Sequence, residues 1–296
     1  MNNSAFRTLV LSEGGEAFLR DGMLMIMRDD ETLEFPISQL SSVIINTGTL
    51  KTTSALMSAL TEAGVSVIFC NERKQPSGVL YPLYGNFDSA GRIMDQASWR
   101  DNVKSIVWSE IVRQKIINSA ALLRSVGLND EAEIVEGYRH KLQDGDKTNR
   151  EAVCAKVYFH FLFGYSFTRD YDCDINAALN YGYSIIASHI SRFLTSYGYC
   201  TALGFHHCSR GNVWNLTYDL IEPFRVFVDE IVYKNQGAPF NWEYKKALIE
   251  IGETYVRYDG KRMIITNAIE NFCISVLKGL MSDKITDVKI GKVEMM

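Results

Sequence analysis

The chain has 296 residues, a net charge of −4 from 31 basic and 35 acidic side chains, and 47% hydrophobic against 22% charged content. That is long enough for one or two domains with full cores, and it excludes a disordered or low-complexity chain. The acidic balance argues mildly against a nucleic-acid binder without excluding one, since segregated charge or a partner could still supply such a surface.

The opening third reads as β-rich. Residues 6–12 and 23–27 are short apolar runs separated by Gly14-Gly15 and Asp21-Gly22, which are turn signals. Residues 31–37 alternate as a half-buried strand, residues 42–45 and 65–69 predict further strands, and residues 53–63 predict a short helix closed by Gly64. Residues 76–98 hold two of the five prolines and read as a linker with some local structure. The predicted boundaries are a β-rich domain over 1–84, a linker over 85–98 and a helical domain over 99–296. The fold class is therefore α+β, a small β-rich N-terminal domain followed by a larger, mainly α-helical one.

Beyond the linker the apolar period becomes helical. Val103, Ile106, Val107, Ile111 and Ile117 predict one buried face, with Lys104, Arg113 and Lys115 elsewhere on the helix. Residues 129–141 predict a polar helix. Thr148 is the expected cap of a helix running from 149 to 163, and Asp174 of one from 175 to 195 that Gly198 ends. A helix after Thr217, one or two near 242–253, a hairpin over 255–265 with an Asp-Gly turn, and a helix over 267–281 complete the pattern. No apolar run reaches bilayer length and the N-terminus lacks a basic-then-apolar leader, so a cytoplasmic protein is expected. The six cysteines are scattered without a Cys-x-x-Cys pair and read as small buried groups.

The chemistry concentrates in Leu203-Gly-Phe-His-His207 and Tyr218-Asp-Leu-Ile-Glu-Pro-Phe-Arg225. Asp219 and Glu222 share one helical face, and with a nearby histidine they could give oxygen and nitrogen ligands to one divalent metal. The ordinary readings are a cap for Asp219 and a pair with Arg225 for Glu222. Against those, Leu220, Ile221, Phe224 and Val226 imply a face that is not freely solvated. His206 and His207 point to opposite sides of an extended segment, and spacing does not choose between them. Glu151 reads locally as a first-turn glutamate favoured by the helix dipole. His140, His160 and His189 read as structural. Residues 169–176 lack the glycine and terminal glutamate of a calcium loop, and neither a phosphate-binding glycine loop nor a Gly-x-Ser-x-Gly elbow occurs. Metal-assisted phosphoester chemistry is the leading enzyme class that remains.

Four segments occur in order: Asn149-Arg-Glu-Ala-Val-Cys-Ala-Lys-Val-Tyr-Phe159, Asp174-Ile-Asn-Ala-Ala-Leu-Asn-Tyr-Gly-Tyr183, Gly204-Phe-His-His207 and Asp219-Leu-Ile-Glu-Pro-Phe-Arg225. The series resembles the CRISPR-associated adaptation integrases, the first-numbered Cas protein, along nearly the whole chain. Residues 70–89 look like the version found in type II systems. The resemblance implies a metal-dependent DNA integrase and endonuclease that inserts spacers into a repeat array. Its metal-binding residues fall on Glu151, His207 and Glu222, with Asp219 as a supporting or second ligand. It further implies Mg²⁺ or Mn²⁺, double-stranded DNA as substrate, a homodimer formed through the β-rich domain, and the small second-numbered Cas protein as partner. Other adaptation and effector proteins of a type II system are implied as well. Arg150, Lys156 and Arg225 lie beside these segments and could hold phosphates, although surface ion pairs account for each equally well. Two other readings stand beside this one: a stand-alone structure-specific repair nuclease, and a non-catalytic DNA-binding architectural subunit.

Overall fold

The computed structural model describes residues 7–29, 31–72, 76–80, 82 and 88–296. Phe6 and most of the stretch between residues 81 and 87, including part of the predicted linker and of the type II-like segment, lie outside the described residues. The chain divides into two compact units, residues 1–89 with 191–199, and residues 90–190 with 200–296.

In the first unit, β1 (Arg7–Leu11), β2 (Gly15–Arg20), β3 (Met23–Arg28), β4 (Glu31–Pro36), β5 (Leu40–Ile45) and β6 (Leu50–Thr52) precede α1 (Ser54–Glu62), β7 (Ser66–Cys70) and β8 (Pro76–Leu80). They form two sheets of strand order β1-β5-β7-β8 and β4-β3-β2-β6. In the first sheet β1, β5 and β7 run parallel and β8 is antiparallel. Every residue of β5 is buried, as expected of a central parallel strand covered on both faces. Leu24, Val43, Leu56, Leu60 and Val67 form the core of this unit, each contributing about 1.5–3 kcal/mol on burial. Thr53 caps α1 by accepting from the Leu56 N–H at 3.3 Å. Strands β2 and β6 were not among the predicted elements; Gly15, read as part of a turn, is the first residue of β2.

The second unit begins with α2 (Ser89–Ala97), which falls largely within the expected linker, and α3 (Asp101–Ser125). There follow α4 (Asn129–Gly137), α5 (Arg150–Phe163), α6 (Asp174–Ser196), α7 (Asn215–Ile221), α8 (Arg225–Lys234) and α9 (Trp242–Ile249). The hairpin of β9 (Tyr255–Tyr258) and β10 (Lys261–Ile264), α10 (Ile265–Leu280) and the short β11 (Val293–Glu294), which pairs with β9, close the chain. The hairpin turns at Asp259-Gly260 with φ of 47° and 75°, the left-handed pair that a two-residue loop requires.

Helix α3 is the axis of this unit. It packs on α4, α5, α8 and α10, so it is buried on several sides rather than on the single face its apolar period predicted. The polar residues Gln114, Asn118 and Ser119 are buried as well. None of the described helices is long and apolar enough to cross a membrane.

Candidate metal centre

The start of α5 sets the first carboxylate. Asp146, not the expected Thr148, accepts from the backbone N–H groups of Arg150 and Glu151 at 2.7 and 2.9 Å. The correction has a plain cause: Asn149 takes a left-handed φ of 51°, which carries the chain around so that Asp146 meets the open helix end. Glu151, in the first turn, then projects toward α3.

The second carboxylate sits at a helix break. Pro223 has no N–H for the helical ladder, so α7 ends at Ile221 and a tight turn over Glu222–Phe224 leads into α8. Asn118 of α3 donates to the Pro223 carbonyl at 3.0 Å, fixing the break against α3. Glu222 is 5% exposed; its Oε1 accepts from Arg225 Nε at 2.9 Å, and its Oε2 lies 2.5 Å from Lys115 Nζ. The same ammonium pairs with Glu151 Oε1. Burial works against ionisation here. Even so, Arg225 and Lys115 together hold the Glu222 carboxyl below the usual range, and Glu222 and Glu151 lift the Lys115 ammonium above its own.

The histidine is placed by Asp219, which is fully buried in the middle of α7 rather than at its cap. Oδ2 accepts from the N–H groups of Phe205 and His206 at 2.7 and 3.0 Å, and Oδ1 from that of His207 at 2.9 Å. Oδ1 also lies 2.6 Å from His207 Nδ1. That bond, against a smaller opposing effect of burial, raises the His207 pKa. A Cβ at Gly204 would come within 2.8 Å of Asp219 Oδ2 and 2.9 Å of Asn215 Cβ, so only glycine lets the loop wrap this carboxylate. Both Asp219 oxygens thus accept from the 205–207 segment, which sets this carboxylate directly behind the His207 ring.

His206 turns the other way and stacks on Trp108, ring centroids 3.8 Å apart and planes 8° from parallel. His207 instead lines a cavity of about 290 Å³ with Lys115, Glu151, Glu222, Arg225, Tyr158, Tyr183 and Asp229. The doublet left open by spacing is thus divided in space.

The donor set fits a divalent cation. With Nδ1 against Asp219, Nε2 is the ring nitrogen that could serve a metal, the arrangement common behind metal-bound histidines. Glu151 and Glu222 converge on one cation already, the Lys115 ammonium, which shows that both carboxylates reach a shared positive charge. Among the described residues no three His, Cys, Asp or Glu side chains form a ready-made cage.

A family model described as CRISPR associated protein Cas1 matches residues 9–267. The chain belongs to the Cas1 family. It is 35% identical over 225 residues to a CRISPR-associated endonuclease Cas1 of Neisseria meningitidis serogroup C (strain 8013), covering 76% of this chain and 74% of that one. A solved Cas1 protein from Thermotoga maritima shares the fold at a TM-score of 0.76 and 14% identity, over 94% of this chain and 98% of that one. A casposase bound to integration product does so at 0.66 and 19%, over 94% of this chain and 91% of that one.

In this Cas1 chain the three expected phosphate-binding residues lie in different settings. Arg225 is held by Glu222 and lies over the Tyr183 ring at 4.6 Å. Arg150 is half-buried and bonds Thr148 Oγ1 at 3.2 Å, and Lys156 is exposed on α5. Sequence reasoning missed Lys115, Asp146, Asp229, Tyr158 and Tyr183. Asp229, 2% exposed, accepts from Tyr158 at 2.9 Å and from Tyr183. Burial pushes its carboxyl up to about 6 against the pull of those two hydroxyls. The available signal was an acid directly after the apolar run Val226-Phe-Val228. For Lys115 it was the polar cluster at positions 114, 115, 118 and 119, where Gln114, Asn118 and Ser119 are buried.

Proposed function

We propose that the chain is a metal-dependent DNA integrase and endonuclease of CRISPR adaptation, of the type II kind, with Glu151, His207 and Glu222 as the ligands of Mg²⁺ or Mn²⁺. The observation that carries the reading is the convergence of these three side chains, from α5, the 204–207 loop and the α7–α8 break, on one cavity of a Cas1-family chain. The casposase neighbour, bound to its integration product, and the Neisseria relative, named an endonuclease, support the reaction class.

When bound, the cation would supply charge stabilisation for a phosphodiester in reaction. Glu151 and Glu222 would hold it through carboxylate oxygens and His207 through its ring, which Asp219 orients. Arg225, tied to Glu222 and over the Tyr183 ring, lines the cavity where a phosphate would lie, while Arg150 at the start of α5 and Lys156 along it would meet the DNA backbone. A 3′-hydroxyl of the incoming strand attacks the repeat phosphorus and the former 3′-oxygen leaves as a hydroxyl. One phosphodiester replaces another, so no nucleotide hydrolysis is required; water in place of the hydroxyl gives endonuclease activity.

In this reading residues 1–84 serve dimerisation, 85–98 link, and 99–296 carry the chemistry. The small second-numbered Cas protein bridges two dimers across double-stranded DNA. Strand transfer with a short duplex, a repeat-bearing plasmid and that partner tests it. Joined 3′-ends that depend on Mn²⁺ are expected. Shortened strands without joining would indicate a hydrolytic repair nuclease, and unimpaired joining without a divalent ion would overturn the metal site.

A further inference from the structure

We propose that Lys115 is the resident counter-cation of the metal site: its ammonium neutralises Glu151 and Glu222 and must be displaced before a divalent cation can bind. The inference rests on the proposed assignment of these two carboxylates as ligands. One ammonium, on a side chain 16% exposed, touches Glu151 Oε1 and Glu222 Oε2 at once. Arg225 clamps the other oxygen of Glu222, so Oε2 is the atom available for exchange. Two carboxylates this close repel each other unless a positive charge lies between them, and burial raises the cost of leaving them uncompensated.

The consequence is a site that stays ordered and charge-compensated without metal, at the expense of affinity. A divalent ion has to compete with a tethered cation for the same two oxygens, which lowers its apparent affinity by the stability of the lysine-closed state. Lysine suits the task better than arginine would. Its charge is compact, its four-carbon stem can swing clear, and it makes no planar two-point clamp on the carboxylates. The cavity of about 290 Å³ beside it has room for the displaced ammonium.

Calorimetric titration of the full-length protein with Mn²⁺, without DNA, tests this on wild type and Lys115→Met. The variant should bind Mn²⁺ about tenfold tighter or more, equivalent to about 1.4 kcal/mol. Its melting temperature should also rise more on adding Mn²⁺ than that of wild type. Equal or weaker binding by a folded variant would overturn the proposal while leaving the metal site standing. Absence of Mn²⁺ binding in both proteins would overturn the metal-site reading itself. Should the Met variant not fold, Lys115→Gln removes the charge but keeps a donor, and the same comparison applies.

Discussion

Asp219 holds His207 twice through one oxygen, Oδ1 accepting from the backbone N–H at 2.9 Å and lying 2.6 Å from ring Nδ1. The ring and the loop that carries it are fixed by the same buried carboxylate. Asp219→Asn replaces one acceptor oxygen by an amide that cannot accept. Strand transfer should fall about 10–100-fold, the usual cost of losing the partner behind a ligating histidine. Stability should fall by about 1–3 kcal/mol as a buried donor loses its partner. Kinetics and urea melting check both; unchanged activity would remove Asp219 from the site.

Glu151→Ala, His207→Ala and Glu222→Ala should each abolish metal-dependent strand transfer, and full activity in any two would end the ligand assignment. Their stability costs should differ. Glu222 is 5% exposed and compensates both Lys115 and Arg225, so its removal should cost about 3–5 kcal/mol. Glu151 is 24% exposed, and solvent screening should make its loss milder. Chemical denaturation of the three variants measures the order.

Asp229 gives the fold a pH dependence. Its folded-state carboxyl titrates at about 6, above the ordinary 3.8. The folded protein therefore binds the proton more tightly than the unfolded chain. The stability it contributes is fully present below about pH 4 and is lost as pH rises through about 6, by about 2–3 kcal/mol. Asp229→Asn should flatten that decline. Parallel stability profiles for wild type and variant between these limits would contradict the burial argument.

His206→Ala should cost about 1 kcal/mol, the worth of its stack on Trp108. Strand transfer should stay within a few-fold of wild type. An inactive, folded His206→Ala would reverse the division of roles between the two histidines.

Gly204→Ala forces a methyl against Asp219 Oδ2 and Asn215 Cβ. A destabilisation of about 1–3 kcal/mol is expected from such crowding, with lower strand transfer because the His207 loop must shift. Thermal melting and a strand-transfer assay on the purified variant decide it.

The sequence by itself determined the class of the longest elements, while α2 fell largely within the expected linker. Helical periodicity marked α3, α5, α6 and α10, and the Asp259-Gly260 pair marked the hairpin, because period and turn chemistry act over a few residues. It also placed a histidine and two acids close enough along the chain to suggest a metal. Strand β6 escaped because it is only three residues long, and β2 because its first residue, Gly15, reads locally as a turn while its strand is set by pairing with β3 and β6. The cap of α5 escaped because the acceptor lies outside the usual cap position.

Only the tertiary structure decided which of these groups work together. Residues 115, 151 and 222 are far apart in the chain, and no local pattern joins a lysine on α3 to carboxylates on α5 and at the α7–α8 break. Burying α3 on several sides brings them into one cavity. There low exposure makes each unpaired charge costly, so the lysine and the two glutamates must find one another. The same burial sets Asp219 against the 205–207 segment, where its oxygens accept from three backbone N–H groups and lie against the His207 ring.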